Sequence, residues 1–144
     1  MDWDEHYRRL EGMYSRAPVN DFFQPALSVG EGRAEVRMAV RKEFFHAASA
    51  VHGAVYFKAM DDAAFFAANS LLREVFVLTV SFTVYLTRPV SKGEMKAVGR
   101  VVHQSRRLLL AEAELFDSQG RQIARGNGSF MPSRIRLDSE VGYR

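Results

Sequence analysis

The chain contains no cysteine. That absence excludes disulfides, thiol nucleophiles and Cys-type zinc sites. No apolar run approaches the roughly 20 residues needed to cross a bilayer. The opening MDWDEHYRRL is charged where a signal peptide would be apolar. A cytoplasmic protein with no membrane partner is therefore expected. No compact Lys/Arg run with interleaved aromatics exists, which argues against nucleic acid as a partner. The net charge of +3 fits either a solvated surface or a phosphorylated ligand. The four histidines are scattered without metal-type spacing, so no metal site is expected.

What is present is one domain's worth of ordinary globular sequence. At 144 residues, 47% hydrophobic and 26% charged, the chain can bury a real core. Its organising stretch is His52–Ser70, HGAVYFKAMDDAAFFAANS. It has no proline and no glycine after Gly53, and Ala, Phe and Met fill most of it, so it predicts one buried helix of about five turns. Lys58, Asp62 and Asn69 fall within about 40° on a helical wheel, as a polar stripe. Asp61 lies off that stripe, among Ala54, Phe57, Phe65 and Ala68. A carboxylate on an apolar face is costly unless paired or put to use. Two readings stand side by side: a structural pair with Lys58, or a reactive group.

The flanking sequence predicts the following order. Residues 3–16 form an amphipathic helix with Trp3, Tyr7, Leu10 and Tyr14 on one face, capped by Asp2 or Asp4 and ended by Pro18. Phe22–Val40 reads as strand, turn at Gly30–Gly32, strand. Residues 41–51 are a loop. Val75–Leu86 is the longest strand, with its even positions apolar. Runs 94–103, 107–116 and 121–131 follow, separated by turns. Ala124, Gly126 and Gly128 share a face of the last run, where small side chains would admit the central helix. Pro132 ends that strand and leaves 132–144 as a loose polar tail. The order favours an α+β fold, an antiparallel sheet of five or six strands wrapped around one long helix. The whole of 1–144 is one domain, with 1–20 as an extra N-terminal helix.

His52-Gly53, with Asp61 nine positions after the His in one apolar helix and a strand ending at Pro89, resembles the hotdog-fold acyl-CoA thioesterases. The similarity is greatest to the branch named for phenylacetic acid degradation, related to hydroxybenzoyl-CoA thioesterase, and covers roughly residues 25–131. Asn69-Ser70 also matches some members. The resemblance implies hydrolysis of a CoA thioester to free acid and CoA, without metal or cofactor. It assigns the oxyanion-binding backbone N–H to Gly53, the nucleophile or general base to Asp61, and a place near the attacking water to Thr79. The chain departs from the pattern in three places. Ala54 replaces a second Gly, Ser49 replaces a loop Gly, and His46 stands where the branch has Asn or Gln to position the thioester or water. His46 is open between site and surface. His52 is read first as a ring fixing the loop through backbone bonds and second as a substrate contact.

The chemistry fits these residue types. A helix N-terminus offers free N–H groups and a positive dipole end to a developing oxyanion. Phe57 and Phe65 beside Asp61 admit an aryl or medium-chain acyl group. Arg106 and Arg107 are the first candidates for the CoA phosphates, since family members often carry a basic residue at that turn. Arg88, Arg134 and Arg136 are alternatives. Gly53 and Asp61 are eight residues apart, about 12 Å along one helix at 1.5 Å per residue. One thioester carbon cannot meet both, so a homodimer with two shared sites is expected, and the resemblance adds a possible dimer of dimers. The rival readings are a non-catalytic acyl-CoA binder and a hotdog hydratase, whose Asp-and-His motif is not found here.

Overall fold

In a computed structural model covering residues 1–144, the chain forms helix α1 (Trp3–Arg16), helix α2 (Asn20–Phe23), strands β1 (Ala26–Gly30) and β2 (Arg33–Ala39), helix α3 (Gly53–Asn69), and strands β3 (Val75–Leu86), β4 (Glu94–Gln104), β5 (Leu109–Phe116) and β6 (Gln122–Arg136). The six strands form one wholly antiparallel sheet in the order β1-β2-β4-β5-β6-β3. The sheet curls around α3, which is the hotdog arrangement.

Helix α3 is capped by His52 and ends at Ser70. Ala59, Met60, Ala63, Ala64 and Ala68 are fully buried against Val36, Met95, Ala97, Ala111 and Ala113 of the sheet. Alanine on both sides lets helix and sheet approach closely. The tightest point is Gly99 of β4: a Cβ there would lie 2.4–2.6 Å from the backbone of Ala63 and Ala64. The expectation that Gly126 and Gly128 admit the helix is therefore corrected. Those two glycines make room for the ring of Phe82 and the backbone of β3.

The C-terminal end of α3 is fastened by polar side chains. Asn69 is fully buried; it donates to the carbonyls of Leu72 and Val75 and accepts from the Val77 N–H. Ser70 Oγ donates to the Ala67 carbonyl and accepts from the Gly32 N–H. The Ala67 carbonyl belongs to the last turn of the helix, and the other bonds tie that end to the loop after it, to β3 and to the β1–β2 turn.

Several expectations change. Phe22 and Phe23 lie in α2, not at the start of a strand, and pack on Phe44. Arg107 lies in the β4–β5 turn; β5 starts at Leu109. The last four strands do not lie side by side in chain order, because β3 crosses over to pair with β6. Pro132 does not end β6. It lies opposite Val77 at an irregularity in the ladder, and the strand runs on to Arg136. A proline is tolerated where the register breaks, since no ladder hydrogen bond is lost. The tail is not loose either. Tyr143 is buried, and its hydroxyl lies 2.6 Å from Nδ1 of the fully buried His6. His6 Nε2 lies 3.0 Å from the Asn69 carbonyl, which can only accept. The ring proton is thus on Nε2 and Nδ1 accepts from Tyr143. Burial holds this imidazole below its usual pKa, in keeping with a neutral ring. Trp3 stands at the margin of the α1 face, exposed, under the guanidinium of Arg73.

Strand β3 also departs from simple alternation. Val77 is buried while Leu78 and Val80 are exposed; farther on, Phe82 and Val84 face the core. A break in register between Thr79 and Ser81 leaves Val80 as an extra residue and exchanges the inward face from odd to even positions.

Candidate functional site

The bulge at Val80 decides what reaches Asp61. Without it the even positions would face inward throughout β3, and Thr79 would face away. With it, Thr79 shares the inward side with Val77, and its hydroxyl donates to Asp61 Oδ1 at 2.9 Å. No other hydrogen bond to this carboxylate forms within the chain. Asp61 is half-buried, and Phe65, Phe76 and Leu78 line the same cleft of about 760 Å³. Burial pushes its pKa up to about 6; the Thr79 hydroxyl opposes this, neighbouring Asp62 adds to it, and Lys58 opposes it.

The adjacent carboxylate is in a different state. Asp62 Oδ2 accepts from both Tyr14 Oη at 2.5 Å and Lys58 Nζ at 2.6 Å. Lys58 thus pairs with Asp62 at i, i+4, and the structural reading of Asp61 as its i, i+3 partner is set aside. Asp62 takes two donors on one oxygen and is held between α1 and α3 by them. Asp61 keeps only Thr79 and faces the cleft.

Gly53 lies at the other end of α3. His52 Nδ1 accepts from the Ala54 N–H at 2.9 Å, and the His52 carbonyl accepts from the Val55 N–H. The Gly53 N–H meets no acceptor within the chain. Its Cα faces Leu86 of β3, whose δ-carbon would be 2.8 Å from an added Cβ. Gly53 lines a second, smaller cleft of about 330 Å³ with His46, Tyr56 and Arg88. His52 occupies the orienting role, its ring bonded to backbone. His46 is exposed, and its Nδ1 accepts from the Ala48 N–H. Ser49, in place of a loop glycine, has φ 63°, a left-handed conformation that glycine adopts more easily.

The other expected residues divide. Phe65 lines the Asp61 cleft. Phe57 does not; it stands exposed at the β3 side, edge-on to Phe82. Ala54 is exposed on the first turn of α3. Arg106 and Arg107 sit in the exposed β4–β5 turn and line neither cleft, whereas Arg88 lines the one holding Gly53. Sequence reasoning missed the part played by Tyr14 beyond packing, and the tail residues Val141–Gly142 and Arg144 as cleft wall. Tyr14 sat on a recognised apolar face, but nothing local marks its hydroxyl as a partner of Asp62. Within one chain, then, Asp61 and Gly53 open into two clefts that share no residue.

Comparison with known proteins meets this geometry. The family model described as Thioesterase superfamily matches residues 48–124, more than half of the chain and all of α3. The chain superposes with a TM-score of 0.84 on the Escherichia coli PaaI protein from the phenylacetic acid degradation operon, at 21% identity over 92% of this chain and 96% of that one. A thioesterase family protein from Silicibacter pomeroyi superposes with a TM-score of 0.80 at 25% identity, covering 91% and 98%. A Sulfurisphaera tokodaii protein designated a candidate esterase is 28% identical over 69% of this chain and 74% of its own length. No helix is long and apolar enough to cross a membrane. A sheet curled on a glycine-started helix, with a carboxylate two turns along it, thus meets a family match across the same segment, and the chain belongs to the thioesterase superfamily.

Proposed function

We propose that the protein hydrolyses an acyl-CoA thioester to the free acid and CoA, with Asp61 as nucleophile or general base and the Gly53 N–H binding the oxyanion. The observation that carries this reading is the contrast between two groups on α3: a carboxylate with one weak donor in an apolar cleft, and an unpaired N–H at the helix start. The first is poised to attack or to take a proton from water. The second suits the negative charge that develops on the carbonyl oxygen. In one route Asp61 adds to the carbonyl carbon, thiolate leaves, and water cleaves the mixed anhydride. In the other Asp61 takes the proton of a water whose oxygen adds to the carbonyl carbon, and the C–S bond then breaks to release the CoA thiolate, which takes up a proton. Neither route calls for a metal or a separate cofactor.

Both groups lie along β3, Asp61 against Thr79 and Gly53 against Leu86. The outer edge of β3 has no strand beside it and exposes Leu78, Val80, Tyr85 and Leu86. Antiparallel pairing of two copies about an axis near Phe82–Thr83 would set Thr79 of one chain opposite Leu86 of the other. That juxtaposition supports a homodimer with two shared sites, each built from one chain's Asp61 and its mate's Gly53. Two such dimers could pair further. Phe65 and Phe76 suit an aryl or medium-chain acyl group. Arg88 is better placed than Arg106 or Arg107 to meet a CoA phosphate. The conditions for this chemistry are those of an aqueous compartment such as the cytoplasm.

The test is a panel of acyl-CoA thioesters with free-thiol detection on wild type and Asp61→Asn. Turnover falls by roughly 10²-fold or more in the variant, while ligand binding persists. Equal rates would falsify the catalytic assignment. No cleavage of any thioester, together with a rise in melting temperature on adding acyl-CoA, would favour a binding protein instead.

A further inference from the structure

The cluster behind Asp61 joins α1 to α3 through one carboxylate oxygen. Asp62 is embedded between α1 and α3. Tyr14 from α1 and Lys58 from one turn earlier both donate to the same oxygen. Lys58 also stands over the rings of Tyr14 and Phe23, with 5.2 Å to each centroid. Tyr14 is in turn fixed edge-on to Phe66. Burial and the Asp62 charge push the Tyr14 phenol up, so it stays a donor.

The charge count is the telling feature. Two adjacent carboxylates share one lysine in a poorly solvated place. Both cannot be ionised as cheaply as one. Geometry selects which one is compensated, because Lys58 and Tyr14 both bind Asp62. The uncompensated one is Asp61. The other charged groups lining this cleft are Arg16 from α1 and Glu140 and Arg144 from the tail; β3 brings only the uncharged Phe76, Leu78 and Thr79, and β6 only Ile135. Arg16 donates to the carbonyls of Gly142 and Arg144, which holds it toward the tail.

We propose that Tyr14, Lys58 and Asp62 form a device that governs the charge of Asp61, with Asp62 as a second, clamped carboxylate that keeps the first one reactive. This rests on the thioesterase reading for its purpose but not for its physics. Asp62 acts through Asp61 and is not a catalytic residue. Its negative charge makes Asp61 more basic; the ammonium of Lys58 tempers that effect.

The experiment titrates Asp61 directly, by NMR of 13C-labelled aspartate carboxyl groups, in wild type, Asp62→Asn and Lys58→Met. The Asp61 midpoint falls by about one pH unit in Asp62→Asn and rises by about one in Lys58→Met. Tyr14→Phe, which keeps the ring against Phe66, moves it less than Asp62→Asn does. The acid limb of kcat/KM for a cleaved thioester moves with each midpoint. Should Asp62→Asn fail to fold, Lys58→Met decides. Unmoved midpoints in both variants, with only stability altered, would overturn the proposal and leave a structural strut. If the midpoints shift as expected while the wild type cleaves no thioester, the charge coupling stands and the hydrolase reading fails.

Discussion

The two edges of the sheet are treated in opposite ways. At one edge lies β1, five residues long and covered by α1. The backbone of Val29 faces outward there, and α1 occupies both of its groups: Arg8 donates to the Val29 carbonyl at 3.0 Å, and Glu11 accepts the Val29 N–H at 2.8 Å. Arg8 and Glu11 also pair with each other. At the other edge lies β3, twelve residues long, rich in apolar residues and covered by nothing. An open edge of that kind is a template for pairing with another chain. The covered edge thus protects the monomer from wrong partners, and the open one is where we place the twin. The open edge is also the one that carries Thr79 and Leu86, and with them Asp61 and Gly53.

That contrast can be broken at its larger side first. Val80→Lys puts a charge on the bulge of the open edge, where Val80 is 59% exposed. We expect sedimentation at low micromolar concentration to show monomer, and thioester cleavage to fall by roughly 10²-fold, because each site loses a half. A Val80→Lys monomer with full activity would remove the shared site. Next comes pH. If Asp61 must be ionised to act, the rate follows its carboxylate fraction, with a midpoint near about 6, and drops roughly tenfold per pH unit below that. A flat profile from pH 5 to 8 would detach the reaction from Asp61.

The covered edge should respond in stability and not in assembly. Arg8→Ala with Glu11→Ala leaves the outward groups of Val29 to water and costs about 1–3 kcal/mol in urea unfolding, with the oligomeric state unchanged. The smallest effect is again at Asp61. Its folded pKa is raised above the unfolded value, so the native state holds the proton more tightly. Stability from this group is full below 3.8 and is lost as pH rises through about 6. Asp61→Asn should therefore be more stable than wild type at pH 8, by on the order of 1 kcal/mol after allowance for solvent screening, and no more stable at pH 3. Melting curves at the two pH values check the sign.

Much of the architecture was legible because it depends on local pattern. The spacing of apolar residues in 3–16 and 53–69 dictates helices, and the alternation in 33–39 dictates a strand with one wet face, as observed. The candidate site was legible only as a set of residue types and spacings on one helix. The polar stripe read from the helical spacing is observed at Lys58 and Asp62, which bind each other.

The sequence alone determined the elements whose period is written in neighbouring residues: α1, α3 with its His52 start, β2, and the turns at glycine. Its lack of cysteine also excluded thiol chemistry. Only the tertiary structure decided the crossover that seats β3 at a free edge, the bulge that turns Thr79 toward Asp61, and the burial of Tyr143 on His6. It likewise chose Gly99, over Gly126 and Gly128, as the glycine under the helix. Each of these depends on which distant segment fills a given space, and burial energy is a property of that pairing and not of either segment by itself.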